Sequence, residues 1–111
     1  MRLLLVGGSR GLVTKTTFGQ LGVEESLVRC MRDAFPMIRE PTEIQRLGIP
    51  ELLRDQRKQD RAMTTLLASE TGSGKTMAYL LPLVQKLKKL EMQEGRIAAH
   101  GYPRGLVLVP T

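Results

Sequence analysis

One short turn of this sequence combines two glycines, a lysine and a threonine at a spacing suited to binding phosphate. In the stretch LLASETGSGKTMAYLLPLV (residues 66–84), Gly72 and Gly74 carry no Cβ, so that neighbouring backbone N–H groups can converge on one anion. Lys75 can reach the β- and γ-phosphates of a nucleotide, and the hydroxyl of Thr76 suits a Mg²⁺ ligand. An apolar strand before the turn and an amphipathic helix after it are the context that such a site requires.

We therefore predict a phosphate-binding loop in which Lys75 and Thr76 are also the catalytic candidates. The predicted loop consists of Ser69, Glu70, Thr71, Gly72, Ser73, Gly74, Lys75 and Thr76. A simpler alternative is a Gly/Ser turn that caps a helix and is followed by an incidental lysine. The general phosphate-loop pattern begins with glycine, whereas Ser69 occupies that position here.

A second candidate site lies in EPTEIQ (residues 40–45), upstream of the loop. Thr42 and Gln45 have the spacing of a capping box, in which the hydroxyl and the amide satisfy exposed N–H groups at the helix start. The amide of Gln45 also presents a donor and an acceptor side by side, which complement the N6 amine and N7 of adenine. In isolation the capping box is the simpler interpretation, and a phosphate loop downstream makes adenine recognition credible.

Hydrophobic spacing predicts the elements that position these residues. Apolar residues at helical intervals predict helices over 23–35 and 41–53, and a β-branched, apolar run predicts a short buried strand over 64–68. A third helix is predicted over 74–93, and the apolar run GLVLV (105–109) predicts a further strand of a parallel sheet. The order of strand, glycine turn, helix and strand is one βαβ unit, which indicates an α/β fold.

Particular side chains are predicted to face the core or to distort these helices. Helix 41–53 is expected to bury Ile44, Leu47 and Leu52 on one face. Pro50 should bend or interrupt that helix, and Pro82 should kink the next one.

Composition limits the classes of protein that are possible. The 111 residues carry a formal charge of +6, which favours an anionic partner such as nucleic acid or nucleotide, although a merely basic soluble surface explains it equally well. The single cysteine rules out an internal disulfide and a thiolate metal cluster. No apolar run approaches the ~20 residues needed to cross a bilayer, so we expect no membrane partner.

Residues 1–17 are predicted to be a leader or linker that precedes a domain over 18–111. They contain Arg2, Arg10 and Lys15, with no acidic residue before Glu24, a composition that fits a mitochondrial targeting segment. A frayed or strand-forming N-terminus is at least as good an interpretation of the same composition.

Four separated blocks of this sequence resemble DEAD-box RNA helicases, and they occur in the same order. They are FGQLGV (18–23), PTEIQRLGIPELL (41–53), ASETGSGKT (68–76) with AYLLPLV after it, and GLVLVPT (105–111). They are similar to the Q motif with its upstream phenylalanine, to motif I and to the opening of motif Ia, and relatives also accept serine at the position of Ser69. The resemblance covers residues 18–111 and implies an incomplete P-loop (RecA-like) helicase domain 1 with parallel strands and flanking helices.

The resemblance implies ATP and Mg²⁺ as cofactors. Gln45 would contact the adenine edge and Thr42 would fix that segment near the loop, while Lys75 and Thr76 would hold the β- and γ-phosphates and Mg²⁺. Stacking on the adenine would come from Phe35 or another apolar side chain, since Met37 and Ile38 stand where most relatives have a Gly-aromatic pair. Phe18 would brace the Q-motif helix, and Pro110 with Thr111 would begin a contact to the RNA backbone.

The resemblance implies an enzyme that couples ATP hydrolysis to remodelling of RNA duplexes or RNA–protein complexes, with RNA as its partner. These 111 residues contain neither the acidic DEAD motif nor the second RecA-like domain, so this chain alone is expected to have no helicase activity and negligible ATP hydrolysis. FPMIREPT, SETGSGKT and PRGLVLVP are similar to the mitochondrial branch, which assists large-ribosomal-subunit assembly. A mitochondrial location is therefore expected, with nucleus or cytoplasm as alternatives, and the oligomeric state stays open.

The competing functional classes are an unrelated P-loop NTPase without an RNA substrate and a non-enzymatic remnant.

Overall fold

The computed structural model describes residues 1–5, 16–54, 64–95 and 100–110, and all structural statements below concern these residues. In chain order the elements are strand β1 (Arg2–Leu5), helix α1 (Glu25–Ala34), helix α2 (Glu43–Leu53), strand β2 (Thr65–Ala68) and helix α3 (Lys75–Glu94). The two strands form a parallel sheet. Helix α2 packs against α3 and contacts both strands, so the α/β fold predicted from the sequence is confirmed.

The hydrophobic core lies between the residues around Phe18 and the three helices. Phe18 is completely buried, as expected for a residue that braces the Q-motif helix. The buried cluster comprises Phe18, Val23, Val28, Met31, Ile49 and Leu81. Its members come from segments that are far apart in the sequence, so the core fixes how α1, α2 and α3 are placed relative to one another.

Helix α2 buries only part of the face that was predicted. Ile44 is buried as expected, but Leu47 is 41% exposed, and the prediction for Leu47 was wrong. Gly48 is buried instead, because a Cβ at this position would lie only 3.2 Å from the Leu67 side chain and 3.6 Å from Cβ of Ala78. A pattern of apolar residues does not include glycine, even where glycine allows two elements to approach closely. The hydrophobic spacing therefore predicted burial of the neighbouring residue Leu47 instead of Gly48.

Both prolines lie inside continuous helices. Pro50 belongs to α2 and Pro82 to α3, and neither helix is interrupted. Pro82 is buried, so packing stabilises the helix at the position where the ring removes a backbone hydrogen bond.

Strand β1 lies within the segment predicted as a leader or linker. Arg2–Leu5 pairs with β2 along its whole length, which agrees with the alternative that this segment forms a strand. The boundary between 1–17 and 18–111 remains a prediction, and residues 6–15 lie outside the described residues.

The prediction of a strand over 105–109 was wrong for this chain. These residues have no strand pairing, and Leu106 and Leu108 are 76% and 85% exposed. Gly105 lies close to the side chains of Leu83 and Leu87 on α3, so the segment returns along α3 without reaching the sheet. A buried strand needs a hydrogen-bonded neighbour on at least one side, and β1 provides that neighbour for β2 but not for this run.

Candidate nucleotide-binding site

The predicted phosphate loop forms the connection between β2 and α3. Strand β2 ends at Ala68 and α3 begins at Lys75, so the loop emerges from the carboxyl end of a parallel strand. Gly72 and Gly74 have φ angles of +78° and +89°, in the left-handed region that residues with a side chain rarely adopt. The two glycines therefore produce the sharp bend that the sequence predicted, and the N-terminus of the 20-residue helix α3 adjoins it.

The side chain of Lys75 lies inside this bend. Its Nζ donates hydrogen bonds to the carbonyl oxygens of Ser69 at 2.7 Å and Glu70 at 2.6 Å, and it lies 3.5 Å from Oγ of Ser73. The ammonium thus holds the two sides of the loop together. A phosphate that entered the bend would replace the carbonyl oxygens as the partner of the ammonium.

Thr42 and Gln45 form the capping box that their spacing predicted. The backbone N–H of Thr42 donates to Oε1 of Gln45 at 2.9 Å, and the Thr42 side chain accepts from the N–H of Gln45. Gln45 has a second role, because its Nε2 donates to the carbonyl oxygen of Gly74 at 3.0 Å. The capping box therefore also connects the start of α2 to the phosphate loop.

Gly74 must be glycine also because Gln45 and Thr42 lie too close to it for a side chain, a reason that is separate from the binding of phosphate. A Cβ at this position would lie 2.5 Å from Nε2 of Gln45 and 3.0 Å from Oγ1 of Thr42. By contrast, a Cβ at Gly72 would meet nothing within 4 Å. Gly74 is thus required both by its backbone angle and by the contact with Gln45, whereas Gly72 is required by its angle alone.

The predicted nucleotide-binding residues differ in how open they are to solvent. Gln45 is only 2% exposed, and its amide keeps one further N–H and one oxygen lone pair beyond the two hydrogen bonds above. The residues Ser69, Ser73, Gly74 and Lys75 are partly buried, and Thr42, Glu70, Thr71, Gly72 and Thr76 are exposed. The exposed hydroxyl of Thr76 follows Lys75 directly and is open to a ligand.

Among the candidates for adenine stacking, Ile38 packs against the core. Phe35 and Met37 are 43% and 84% exposed, so these two side chains remain free to contact a base. Of the two residues predicted to contact RNA, Pro110 is exposed, and Thr111 lies outside the described residues.

Sequence reasoning missed Gln85, which attaches the segment after Phe18 to α3. The backbone N–H of Glu24 donates to Oε1 of Gln85 at 2.8 Å, and Nε2 of Gln85 donates to the carbonyl oxygen of Gly22 at 2.8 Å. Gly22 has a φ of +100°, so the glycine itself was the sequence feature that could have indicated a turn at this position. The partner of that turn, some sixty residues later, leaves no periodic trace in the sequence.

Two large open cavities lie beside α3, away from the phosphate loop. The first has a volume of about 890 Å³ and lies between the Gly22 turn and residues 85–93. The second, of about 460 Å³, is lined by Tyr79, Leu83 and residues 106–108. Neither includes a residue of the phosphate loop, which agrees with the Lys75 side chain lying inside the bend.

No three His, Cys, Asp or Glu side chains in the described ranges are grouped as metal ligands. No helix in the same ranges is long and apolar enough to span a membrane.

The link from Gln45 to the loop leads to a first prediction. Gln45→Glu retains an oxygen that accepts from the Thr42 N–H, but it replaces the donor to the Gly74 carbonyl oxygen by a second acceptor. We expect a loss of about 2 kcal/mol in the free energy of unfolding, because a carboxylate oxygen and the Gly74 carbonyl oxygen then face each other with no proton between them. Chemical denaturation measures this loss, which corresponds to a rise of about 1.5 units in the pKa of the introduced carboxyl and should therefore shrink as the pH falls from about 6 to about 4, where the carboxyl becomes protonated and donates again.

Gln20→Glu is the matched control for that prediction. Gln20 and Thr17 form the same local pair, since the Thr17 N–H donates to Oε1 of Gln20 and the Gln20 N–H to Oγ1 of Thr17. This pair is exposed, and Nε2 of Gln20 donates to no acceptor within the described part of the chain. Equal losses in the two variants would show that the bond from Gln45 to Gly74 contributes nothing.

A parallel strand, a glycine bend and a helix that begins with Lys-Thr define the P-loop class of proteins. The chain belongs to the DEAD/DEAH box helicase family, whose model matches residues 42–111. This membership decides against an unrelated P-loop NTPase and confirms the family resemblance.

Individual relatives agree with the family model. The chain is 40% identical over 102 residues to the probable ATP-dependent RNA helicase DDX28 of Mus musculus, an alignment that covers 92% of this chain and 17% of the relative. It is 40% identical over 94 residues to DEAD-box ATP-dependent RNA helicase 39 of Arabidopsis thaliana, covering 85% of this chain and 14% of the relative. It is 38% identical over 89 residues to the mitochondrial ATP-dependent RNA helicase MRH4 of Phaeosphaeria nodorum, an alignment that covers 70% of this chain and 14% of the relative. The chain thus spans about a sixth of the length of the first of these relatives, and no solved structure matches it.

Proposed function

We propose that this chain is the ATP-binding segment of an ATP-dependent RNA helicase. The observation that carries the proposal is the contact network of the loop, in which Lys75 fills a bend made by Gly72 and Gly74 and Gln45 joins the adjacent helix to that bend. Family membership supports ATP as the nucleotide, since relatives with this segment are named ATP-dependent helicases.

In this proposal the phosphate loop binds the triphosphate. The ammonium of Lys75 leaves the carbonyl oxygens of Ser69 and Glu70 and pairs with β- and γ-phosphate oxygens. Backbone N–H groups around Gly72 and Gly74 donate to the same anion, and the N-terminus of α3 adds a positive partial charge.

Gln45 and Thr76 have separate roles in the proposed complex. The free N–H and lone pair of Gln45 are available for the adenine edge, while its bond to Gly74 keeps base recognition and phosphate binding in one unit. The exposed hydroxyl of Thr76, one residue after Lys75, fits a ligand of Mg²⁺. When bound, Mg²⁺ would neutralise charge on the phosphate oxygens.

Hydrolysis and RNA remodelling belong to the whole helicase in this proposal. The 111 residues contain no Asp-Glu-Ala-Asp sequence to position the attacking water, so this chain contributes nucleotide binding rather than turnover. RNA is the proposed substrate, with Pro110 and Thr111 at the start of the contact to its backbone. The relative MRH4 is named mitochondrial, which supports a mitochondrial location, and assembly of the large ribosomal subunit is the proposed process.

The test is a titration of the chain with a fluorescent ATP analogue in the presence of Mg²⁺, followed by competition. We expect ATP and ADP to displace the analogue, AMP to displace it weakly, and the chain alone to release no phosphate above background. GTP serves as the control for the base, because its O6 presents an acceptor where ATP has the N6 donor. Displacement by AMP as readily as by ATP would contradict a phosphate loop.

A further inference from the structure

Strand β1 (Arg2–Leu5) lies directly beside the strand that carries the phosphate loop. It pairs with β2 in a register that runs from Arg2 opposite Thr65 to Leu5 opposite Ala68. The N–H of Arg2 donates to the carbonyl oxygen of Thr64 at 2.8 Å. Because Ser69 follows Ala68, the last pair of this ladder adjoins the loop.

The side chain of Arg2 connects the same strand to α2. Nη1 of Arg2 lies 2.9 Å from Oε1 of Glu51, and Arg54 approaches the other carboxylate oxygen of Glu51 at 3.3 Å. The Glu51 side chain is only 11% exposed, so this pair is screened less by salt than a pair at the open surface. Glu51 belongs to α2, whose first turn carries Gln45, so β1 contacts both elements that carry the nucleotide site: α2 with Gln45, and β2 with the loop that follows it.

The contact between the two halves is sensitive to their relative position. It consists of the bond from Nε2 of Gln45 to the Gly74 oxygen, which is 3.0 Å long, and hydrogen bonds weaken steeply once this distance or its angle changes. Gln45 moves with α2, and Gly74 follows β2 through the loop. An element that is attached to both α2 and β2 therefore contributes to the arrangement in which this bond forms, together with the direct packing of α2 on β2 and α3.

We propose that β1 positions the nucleotide site, with Arg2 as a positioning residue that holds α2 and β2 in the arrangement that binds ATP. Arg2 does not touch the nucleotide, and its effect is transmitted through Glu51 and through the strand ladder. The inference deepens the proposed function and rests on it. Thermodynamic linkage then requires the reverse effect: if docking of β1 favours ATP binding, ATP must favour docking of β1 by the same factor.

Hydrogen exchange of the native chain, followed by NMR with and without saturating Mg-ATP, tests this reciprocity. We expect the amides that face the partner strand, those of Arg2, Leu4, Leu66 and Ala68, to exchange more slowly when ATP is bound, and we expect no such change in the Lys75→Ala variant. Slower exchange in the loop with no change in residues 2–5 would overturn the proposal. A purely structural strand would give that second result.

Charge variants test the role of Arg2 itself. Arg2→Glu places two carboxylates together and is expected to weaken Mg-ATP binding about fivefold, whereas Arg2→Lys should retain binding within about twofold. Arg32→Glu makes the same change of charge at an exposed position of α1 and should bind Mg-ATP like the native chain. Native affinity in Arg2→Glu would overturn the proposal. Equal affinity of the native chain and Lys75→Ala would instead refute the phosphate-loop assignment.

Proline variants test the ladder independently of charge. The N–H of Arg2 points to β2, so by the alternation of a strand the N–H of Leu4 points to β2 and that of Leu3 points away. Leu4→Pro should therefore weaken Mg-ATP binding more than Leu3→Pro does. Equal binding by the two variants would overturn the role of the ladder.

Discussion

Lys75→Ala is expected to lower the affinity for Mg-ATP by about 100-fold. The ammonium lies 2.7 Å and 2.6 Å from two loop carbonyl oxygens, so it is already at the centre of the bend that would receive the phosphates. A hydrogen bond from the ammonium to a phosphate oxygen joins two charged groups and contributes about 3 kcal/mol, about 1.5 kcal/mol more than the bond to a neutral carbonyl oxygen that it replaces, so two such bonds contribute about 3 kcal/mol net. At about 1.4 kcal/mol for each tenfold change, this corresponds to roughly two orders of magnitude.

Isothermal titration calorimetry with ATP, ADP and adenosine measures this effect and locates it. The loss should be large for ATP and ADP and small for adenosine, because Lys75 contacts only the phosphates. Lys88→Ala is the matched control, since Lys88 is an exposed lysine of the same helix, remote from the loop. A similar loss of ATP affinity in both variants would indicate a general effect of charge and would refute a specific role of Lys75.

The same substitution affects the empty loop. In the free chain the Lys75 ammonium joins the carbonyl groups of Ser69 and Glu70, and alanine leaves both oxygens without this donor. Part of the intrinsic phosphate affinity of Lys75 is therefore used to break these bonds when ATP enters. The affinity that calorimetry reports is the difference between the two sets of contacts.

The sequence predicted the local chemistry of the site well. The glycine bend, the helix that begins at Lys75 and the capping box of Thr42 and Gln45 all depend on residues within a few positions of one another, and all three are present in the structure. Such features follow from backbone sterics and from hydrogen bonds that close short rings, so a short stretch of sequence is enough to specify them.

The contacts that join distant segments could not be predicted in this way. The bonds of Gln45 to Gly74 and of Gln85 to Gly22 connect parts of the chain that are 29 and 63 residues apart. Gln85 fits an ordinary helix position, and the local spacing of Gln45 with Thr42 indicates a capping box without indicating its bond to Gly74. The pairing of β1 with β2 was open for the same reason, since the composition of residues 1–17 fitted a leader as well as a strand.

The apolar run at 105–109 shows why a hydrophobic pattern alone does not define a strand. The composition of GLVLV is right for a buried parallel strand, yet Val109 is 71% exposed and the run has no hydrogen-bonded neighbour. A pattern reports that a segment gains free energy by burial. It does not report which other segment provides the partner, and in the described residues only β1 pairs with β2.

Gly74→Ala is expected to destabilise the chain by about 3 kcal/mol and to weaken Mg-ATP binding by more than tenfold. An alanine at a φ of +89° costs about 1 kcal/mol in backbone strain. Its Cβ would also lie 2.5 Å from Nε2 of Gln45, so Gln45 must move, which breaks its bond to the loop and disturbs the capping box with Thr42. Each of these lost hydrogen bonds contributes about 1 kcal/mol.

Gly72→Ala separates the two causes of this effect. Gly72 has a similar φ of +78°, but a Cβ there meets nothing within 4 Å, so this variant should lose only the roughly 1 kcal/mol of strain. Combining Gly74→Ala with Gln45→Ala removes the closest clash, the one with Gln45, and the double variant should therefore be less destabilised than the sum of the single variants. Denaturation of the four variants measures both comparisons. Equal losses for Gly72→Ala and Gly74→Ala, with additive effects in the double variant, would mean that Gln45 and Gly74 are not coupled and that α2 does not support the phosphate loop.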